Sequence, residues 1–273
     1  MKTATDRERG FALLIVLWAL GLLALLGTAV GAAGRNAMTL TQNLRAAGIV
    51  EAATEGAIQQ EIFDLLTSGA ADAIAAGFVR RMRIGTTAVT VSVADEDGRM
   101  NLNLAQAPQL AALLGEVGAP PAVAASVAAA ILDWRTDGTV PRPGGAKTPQ
   151  YRAAGRPYAS PGVPFGSVDE LGQVLGVTPA LLQQVRPHVT VLTGYEPVDQ
   201  SADPVVARAL RQTARPGLPP QSIDLGALAV ARITATGRGP NGATVMLRAV
   251  VQLNGASSGM PFRILSWVRE PGE

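Results

Sequence analysis

The sequence predicts an α+β protein, in which a long N-terminal helical stem precedes an antiparallel sheet that carries a large inserted helical block. Three observations predict it. An uncharged apolar run near the N-terminus continues into an amphipathic helical pattern. Alternating Val-rich segments occur at residues 79–94 and again after residue 228. Residues 95–215, which lie between them, carry helical patterns and loops rich in Gly and Pro. One sheet that is interrupted by a helical block is the simplest arrangement.

The composition excludes several kinds of active site. The 273 residues include no Cys and one His, which rules out thiolate chemistry, disulfides and metal sites built on two histidines. The GxSxG pattern occurs once, at Gly255–Gly259, but between two predicted strands and not at the strand-to-helix turn of a nucleophile elbow, so an anchored hydrolase lacks its nucleophile. The net charge of +2 and the scattered arginines do not favour a nucleic-acid surface. We therefore expect no catalysis, and we predict no catalytic or cofactor-binding residue.

The N-terminal segment consists of a charged head and an apolar run. Residues 1–10 carry three basic and two acidic side chains, and residues 11–33 carry no charge. A helix of that length spans roughly 34 Å, which is enough for a bilayer core of about 30 Å. The basic head predicts a cytoplasmic N-terminus. A cleavable secretory signal peptide and a simple single-span anchor remain alternatives to a retained stem.

The next segment, residues 34–94, predicts an amphipathic helix followed by a β-hairpin. The helical pattern covers residues 36–66, and we expect Glu51, Glu55 and Glu61 to lie off its apolar face. The residues expected on that face are Leu40, Leu44, Ala47, Ile58, Ile62 and Leu65. The hairpin pairs residues 79–84 with residues 88–93.

Local signals place the remaining elements. Pro120 and Pro121 predict the start of a helix that runs through Trp134, for which we expect a core position. Ser167 and Glu170 have the spacing of a capping box. The other signals are N-caps at Thr178 and Asp203, an unusually long loop at 138–166, and final strands at 228–236, 243–253 and 262–269.

Three motifs could indicate chemistry, and each has a structural interpretation that we prefer. Gly237–Gly242 matches GxGxxG, but a strand and not a helix follows it, which predicts a hairpin turn. Leu113–Gly118 is similar to the turn of a DNA-binding helical hairpin, but residues 98–130 contain a single basic residue, Arg99. His188 follows a helix end, where we expect a surface or capping role.

The junction of head and apolar run resembles the class III leader of type IV pilins and pseudopilins. It reads Arg9-Gly10-Phe11, and position 15, where most pilins carry Glu, is Ile15. Within type II secretion, the K-type minor pseudopilin family lacks that Glu. Further motifs that resemble this family are Asp95–Asn103, Ile131–Trp134, Gly145-Ala146, Tyr151, Pro164-Phe165, Ser167, Glu170-Leu171 and Leu265–Trp267.

The resemblance implies a domain order and a processing step. Residues 1–10 would be the leader, residues 11–33 the transmembrane helix and residues 95–215 the inserted α-domain, with 216–273 returning to the sheet of the pseudopilin fold. Prepilin peptidase would cut between Gly10 and Phe11 and methylate Phe11. The mature chain would remain in the inner membrane with its bulk in the periplasm.

The resemblance also implies a function, partners and a metal. The function would be that of a minor pseudopilin at the pseudopilus tip, with I- and J-type minor pseudopilins as partners, in the export of folded proteins across the outer membrane. The alternative is an anchored periplasmic binding protein of the competence type. Family members are understood to bind calcium, for which Asp133 and Asp137 are the candidate ligands here. Thr136 and Lys147 stand where relatives tend to carry carboxylates, which argues against calcium.

Overall fold

The structure is a computed structural model that describes residues 5–67, 74, 76–195, 197, 203–214, 228–254 and 260–270, without the side chains of 5–13, 29–37 and 241. Its helices are α1 Thr5–Thr67, α2 Ala107–Glu116, α3 Pro121–Arg135, α4 Thr148–Ala153, α5 Pro179–Val185 and α6 Pro204–Thr213. Its strands are β1 Phe78–Ile84, β2 Thr87–Asp95, β3 Met100–Asn101, β4 Val189–Thr190, β5 Leu228–Arg238, β6 Thr244–Asn254 and β7 Phe262–Glu270.

Five strands form one antiparallel sheet in the order β1-β2-β5-β6-β7. The chain leaves the sheet after Asp95 and returns at Leu228, and Asp95 pairs with Ala231 of β5. The helices α2 to α6 and the short parallel pair β3-β4 therefore lie between two neighbouring strands. The predicted α+β class, the first hairpin and the three final strands are confirmed.

The second half of α1 packs on this sheet, but the predicted apolar face is wrong in its first part. Leu40 and Leu44 are 61% and 66% exposed, whereas Ile58, Ile62 and Leu65 are buried as expected. The buried stripe begins at residue 46, where the helix first lies over the sheet. Its other members are Ala46, Val50, Ala53 and Ala57, and they meet the inward side chains of β2, β5 and β6.

Glu61 also departs from the prediction, because it is buried and not on the outer face of the helix. Arg80 of β1 lies 3.4 Å from its carboxylate and supplies the compensating charge. Burial raises the pKa of Glu61, and the nearby Arg80 opposes that rise. A carboxylate was therefore accommodated in the stripe because the edge strand brings a guanidinium to it.

Gly237, near the end of β5, and Gly239, just after it, allow α1 to approach the sheet closely. A Cβ on Gly237 would overlap Thr54 Oγ1 and would lie 3.1 Å from Val50 Cγ1. A Cβ on Gly239 would overlap Val50 Cγ2. The GxGxxG sequence is thus the end of β5 and the turn into β6, and the predicted hairpin is confirmed. Its first two glycines are required by helix packing.

The helical block has its own apolar core, which surrounds Trp134. The Trp134 ring lies 5.9 Å from Tyr151 and 6.2 Å from Phe165, measured between centroids. The Tyr151 hydroxyl accepts a hydrogen bond of 3.1 Å from the Leu175 N–H. The expected core position of Trp134 is confirmed. Two of the motifs that carry the family resemblance, Tyr151 and Pro164-Phe165, belong to this aromatic cluster.

The predicted helix starts hold. The Thr178 hydroxyl accepts from the Leu181 N–H at 3.2 Å, and the Asp203 carboxylate accepts from the Val205 N–H at 2.9 Å. Pro121 begins α3. In the predicted capping box, Glu170 accepts from the Ser167 N–H at 3.1 Å, and a 3₁₀ helix follows.

The close approach at Gly237 can be tested by adding one methyl group. Gly237→Ala should lower the free energy of unfolding by about 1–3 kcal/mol, because the new Cβ has no space beside Thr54 and Val50. Gly56→Ala is the matched control, since Gly56 lies in α1 with open space around its Cβ position. That control should be neutral or stabilising by up to about 1 kcal/mol. Equal effects of the two substitutions in urea unfolding would contradict the close approach.

Candidate assembly surface and domain junction

Residues 14–28 of α1 form an exposed apolar surface. Side chains of residues 14–28 are all exposed, and Trp18 is 76% exposed. A Cβ on Gly21 or Gly27 would meet nothing within 4 Å. Leu40, Leu44 and Ile49 extend the apolar exposure to the edge of the sheet. Contiguous apolar surface of this kind marks a site of contact with membrane or protein.

The N-terminal predictions fall only partly on described side chains. The α1 backbone passes through Gly10 and Phe11, but the side chains of residues 5–13 and 29–37 lie outside the description. Among the described residues, no helix has an apolar stretch long enough to cross a membrane. The span predicted for residues 11–33 and the cleavage site at Gly10 and Phe11 stay predictions.

A buried charge cluster joins the helical block to the sheet. Glu96, which directly follows β2, is 1% exposed and lies 2.6 Å from Arg232 of β5 and 3.6 Å from Arg99. The Thr190 hydroxyl of β4 donates to Glu96 at 2.6 Å. Burial is the main cause that lowers the pKa values of Arg99 and Arg232. Repulsion by Arg232 adds to it at Arg99 and repulsion by Arg248 adds to it at Arg232, while Glu96 opposes the shift at both. One carboxylate therefore fastens three segments of the chain.

Asp97 forms a second contact at this junction. Its Oδ2 accepts a hydrogen bond of 2.6 Å from the Val230 N–H of β5, and the Tyr195 hydroxyl is a further partner. Burial is the main cause that raises the pKa of Asp97 to about 6, and the neighbouring Asp95 and Glu96 add to it. The sequence indicated a turn-rich segment here and gave no sign of these pairings.

The asparagines of the same motif fasten the interior of the block. Asn101 donates to the Thr193 carbonyl at 2.6 Å. Asn103 accepts from the Phe165 N–H at 2.7 Å and donates to the Phe165 carbonyl at 3.0 Å. The motif Asp95–Asn103 therefore serves structural connection, with its acids toward the sheet and its amides toward the block.

The structure does not bring the calcium candidates into a metal site. The Asp133 carboxylate accepts from the Arg142 N–H at 3.0 Å and from Arg142 Nη1 at 2.8 Å. Asp137 accepts from the Gly138 N–H at 2.7 Å and is exposed. Within the described ranges, no three His, Cys, Asp or Glu side chains converge as metal ligands do. The donor set does not fit Ca²⁺, which requires six to eight oxygens.

The other two motifs are also structural. His188 Nδ1 lies 2.9 Å from the carboxylate of Asp203, the residue that caps α6, in accordance with the predicted capping role. At the turn between α2 and α3, Glu116 pairs with Arg208 and Gln212 of α6 at 2.5 Å each. An acidic side chain paired within the chain does not suit a phosphate-binding turn.

The geometry defines a class of protein, an α+β subunit in which an apolar helical stem lies against an antiparallel sheet that carries an inserted helical block. Residues 90–194, which contain the junction motif and most of the block, match the family described as Type II secretion system (T2SS), protein K. The resemblance to the K-type pseudopilin family is confirmed by this match.

Two relatives are informative. The chain is 28% identical over 206 residues to the type II secretion system protein K of Klebsiella pneumoniae, and the match covers 68% of this chain and 63% of that protein. The chain thus spans somewhat less than two thirds of the length of this curated relative. A crystal structure of the GspK-GspI-GspJ complex from enterotoxigenic Escherichia coli is similar in fold, with a TM-score of 0.59 and 17% identity over 81% of this chain and all of that one.

The raised pKa of Asp97 predicts a pH dependence of stability. The pKa is about 6 in the fold and about 3.9 in the unfolded chain, so the folded state binds the proton more tightly. The contribution of Asp97 to stability therefore falls as the pH rises from about 4 to 6, by about 1–3 kcal/mol. Asp97→Asn should remove this slope, because its amide oxygen still accepts from Val230 while no charge forms.

Urea unfolding of both proteins between pH 4 and pH 7 measures the slope. Asp64→Asn serves as the control, because Gln60 and Arg80 lower the pKa of Asp64. The contribution of Asp64 to stability therefore rises with pH, and this change lies below about pH 4. An unchanged slope in Asp97→Asn between pH 4 and 6 would contradict the assignment.

Proposed function

We propose that this chain is a minor pseudopilin at the tip of a type II secretion pseudopilus, where it acts in pseudopilus assembly and in the export of folded periplasmic proteins. The observation that carries the proposal is the divided stem. From residue 46 onward one face of α1 is covered by its own sheet, while the described side chains of residues 14–28 and 38–45 are exposed. A helix of this kind is completed only by a membrane or by the stems of other subunits.

The proposed location follows from the N-terminal sequence. Residues 11–33 carry no charge, and the basic head lies before them, so the bulk of the chain would be periplasmic and the N-terminus cytoplasmic. Prepilin peptidase would cut between Gly10 and Phe11 and methylate Phe11. The family is one of structural pseudopilins, and we propose no enzymatic activity for this member.

The position at the tip is supported by the helical block and by Ile15. The block is inserted in the chain between β2 and β5, and it has its own core. A block of this size would be too bulky for another subunit to stack above it. In a pilus, the Glu at position 15 is thought to pair with the N-terminal amine of a neighbour, and a buried carboxylate is costly without a partner. A subunit with Ile15 suits a site that lacks this neighbour.

The proposed partners are I- and J-type minor pseudopilins. The E. coli structure is that of a GspK-GspI-GspJ complex, and one chain of it is similar in fold to this chain. Leu40, Leu44 and Ile49 are the described side chains that would meet partner stems beside the sheet. The proposed limits are 1–10 for the leader, 11–33 for the transmembrane helix and 34–94 for the amphipathic helix with the first hairpin. The inserted α-domain would cover 95–215, and the returning strands 216–273.

Processing tests the leader. Expression with prepilin peptidase should reduce the intact mass by residues 1–10 and add one methyl group at Phe11. Gly10→Val should block the cut, because the peptidase needs the small residue before Phe11. Gly21→Val is the control and should be processed normally, since it lies beyond the leader. A mature chain that begins after Ala33 would instead indicate an ordinary signal peptide.

Secretion tests the stem. In a strain that lacks the gene, Leu44→Asp should fail to restore secretion of a substrate of the same system, because a carboxylate would be buried between stems. Gln59→Asp, at an exposed polar position of α1, should restore it. Equal secretion by both variants would contradict stem contacts at Leu44, and tight binding of double-stranded DNA at physiological salt would favour the competence-type alternative.

A further inference from the structure

A lysine is buried at the end of a helix. Lys147 is 3% exposed, and its ammonium donates to the carbonyl oxygen of Asp133 at 2.5 Å and to that of Thr136. These carbonyls lie at the C-terminal end of α3. The last carbonyls of a helix have no partner within the helix, and they carry a partial negative charge. A cation placed there gives the carbonyls a hydrogen-bond donor and balances their partial negative charge.

The segment between α3 and the next 3₁₀ helix, which contains α4, is held by three connections at the end of α3. Lys147 donates to two carbonyls, and the Gly162 N–H donates to a third, that of Trp134, at 3.0 Å. The Asp133 carboxylate accepts from the backbone and the side chain of Arg142. The prediction of one long loop at 138–166 is therefore wrong in part, because the segment contains α4 and is folded back onto the end of α3.

Gly145 sets the path of the loop toward Lys147. A Cβ on Gly145 would overlap Asp133 Oδ2 and would lie 3.1 Å from the Arg142 carbonyl oxygen. Only glycine allows the backbone to pass so close to that carboxylate. Ala146 follows as a buried residue, and the Lys147 side chain then reaches the helix end.

We propose that the Lys147 ammonium is a built-in cation that does the structural work of a bound metal at the end of α3. The carbonyl oxygens of Asp133 and Thr136 already accept from the ammonium, and the Asp133 carboxylate, a candidate metal ligand, already holds Arg142. A divalent cation placed beside the ammonium would be repelled. The order of this loop is then independent of calcium. This inference does not depend on the proposed role in secretion.

Amine reactivity tests the proposal on the full-length protein. The sequence contains only two lysines, Lys2 and Lys147, which lie on different peptides, so the modification of Lys147 can be followed separately. Reductive methylation of the folded protein in detergent, read by mass spectrometry, should modify Lys147 at least about 100-fold more slowly than a lysine peptide. Full reactivity in guanidinium is the control. Rapid modification in the folded state would overturn the proposal.

Calcium supplies the second arm of the test. Addition of about 1 mM CaCl₂, in the range at which extracellular modules bind it, should leave the rate of Lys147 modification within about twofold of the rate in EGTA. If calcium displaced the ammonium, Lys147 would become reactive, and such an acceleration would overturn the proposal. A calcium-dependent rise in the melting temperature of the wild-type protein would also overturn it.

A substitution supplies the third arm. Lys147→Met keeps most of the side-chain length but removes the cation, so cleavage of the loop by an Arg-specific protease should accelerate at least about tenfold, with calcium or without. Thr148→Met introduces the same side chain at an exposed neighbouring position and should be cleaved at the wild-type rate. If Lys147→Met were also cleaved at the wild-type rate, the ammonium would not hold the loop. Circular dichroism verifies that both variants are folded.

Discussion

The packing of one helix on one sheet sets the organisation of this protein. Gly237 at the end of β5 and Gly239 just after it lack side chains, and there α1 comes close enough for Val50 and Thr54 to occupy the space. This contact fixes the register of the stem on the sheet. It also fixes the point, near residue 46, at which the sheet begins to bury α1. The described apolar side chains before that point, at residues 14–28 and 38–45, are exposed. The proposed function depends on that division.

Charged side chains connect the helical block to the sheet, and apolar packing stabilises the interior of the block. Glu96 and Asp97 are buried where the chain leaves β2, and they hold groups of β5 on the neighbouring strand. A buried ion pair stabilises little, but it demands specific geometry and so selects one orientation. Asn101 and Asn103 continue the same segment into the block. The insertion is therefore rigidly connected at its first residues, as a subunit that presents a cap would require.

Local signals in the sequence were sufficient for the strands, the hairpins and most helix starts. Alternation of Val residues, glycine turns and N-caps such as Thr178 and Asp203 act over a few residues, and the structure contains each of them. What depended on distant residues was not predicted. The helical period could not show that Leu44 lies beyond the sheet, that Arg80 would compensate Glu61, or that Lys147 reaches the carbonyls of α3.

Site-specific photo-crosslinking along α1 tests the central claim most directly. Ile49 and Ile58 are the same residue type on the same helix, but Ile49 is 46% exposed and Ile58 is fully buried against the sheet. The protein is expressed with a photoreactive residue at either position, together with the other pseudopilins of its system. Position 49 should crosslink to an I- or J-type minor pseudopilin, and position 58 should not. Absence of any pseudopilin adduct at 49, or equal yields at both positions, would contradict a stem that assembles through the surface that its own sheet leaves uncovered.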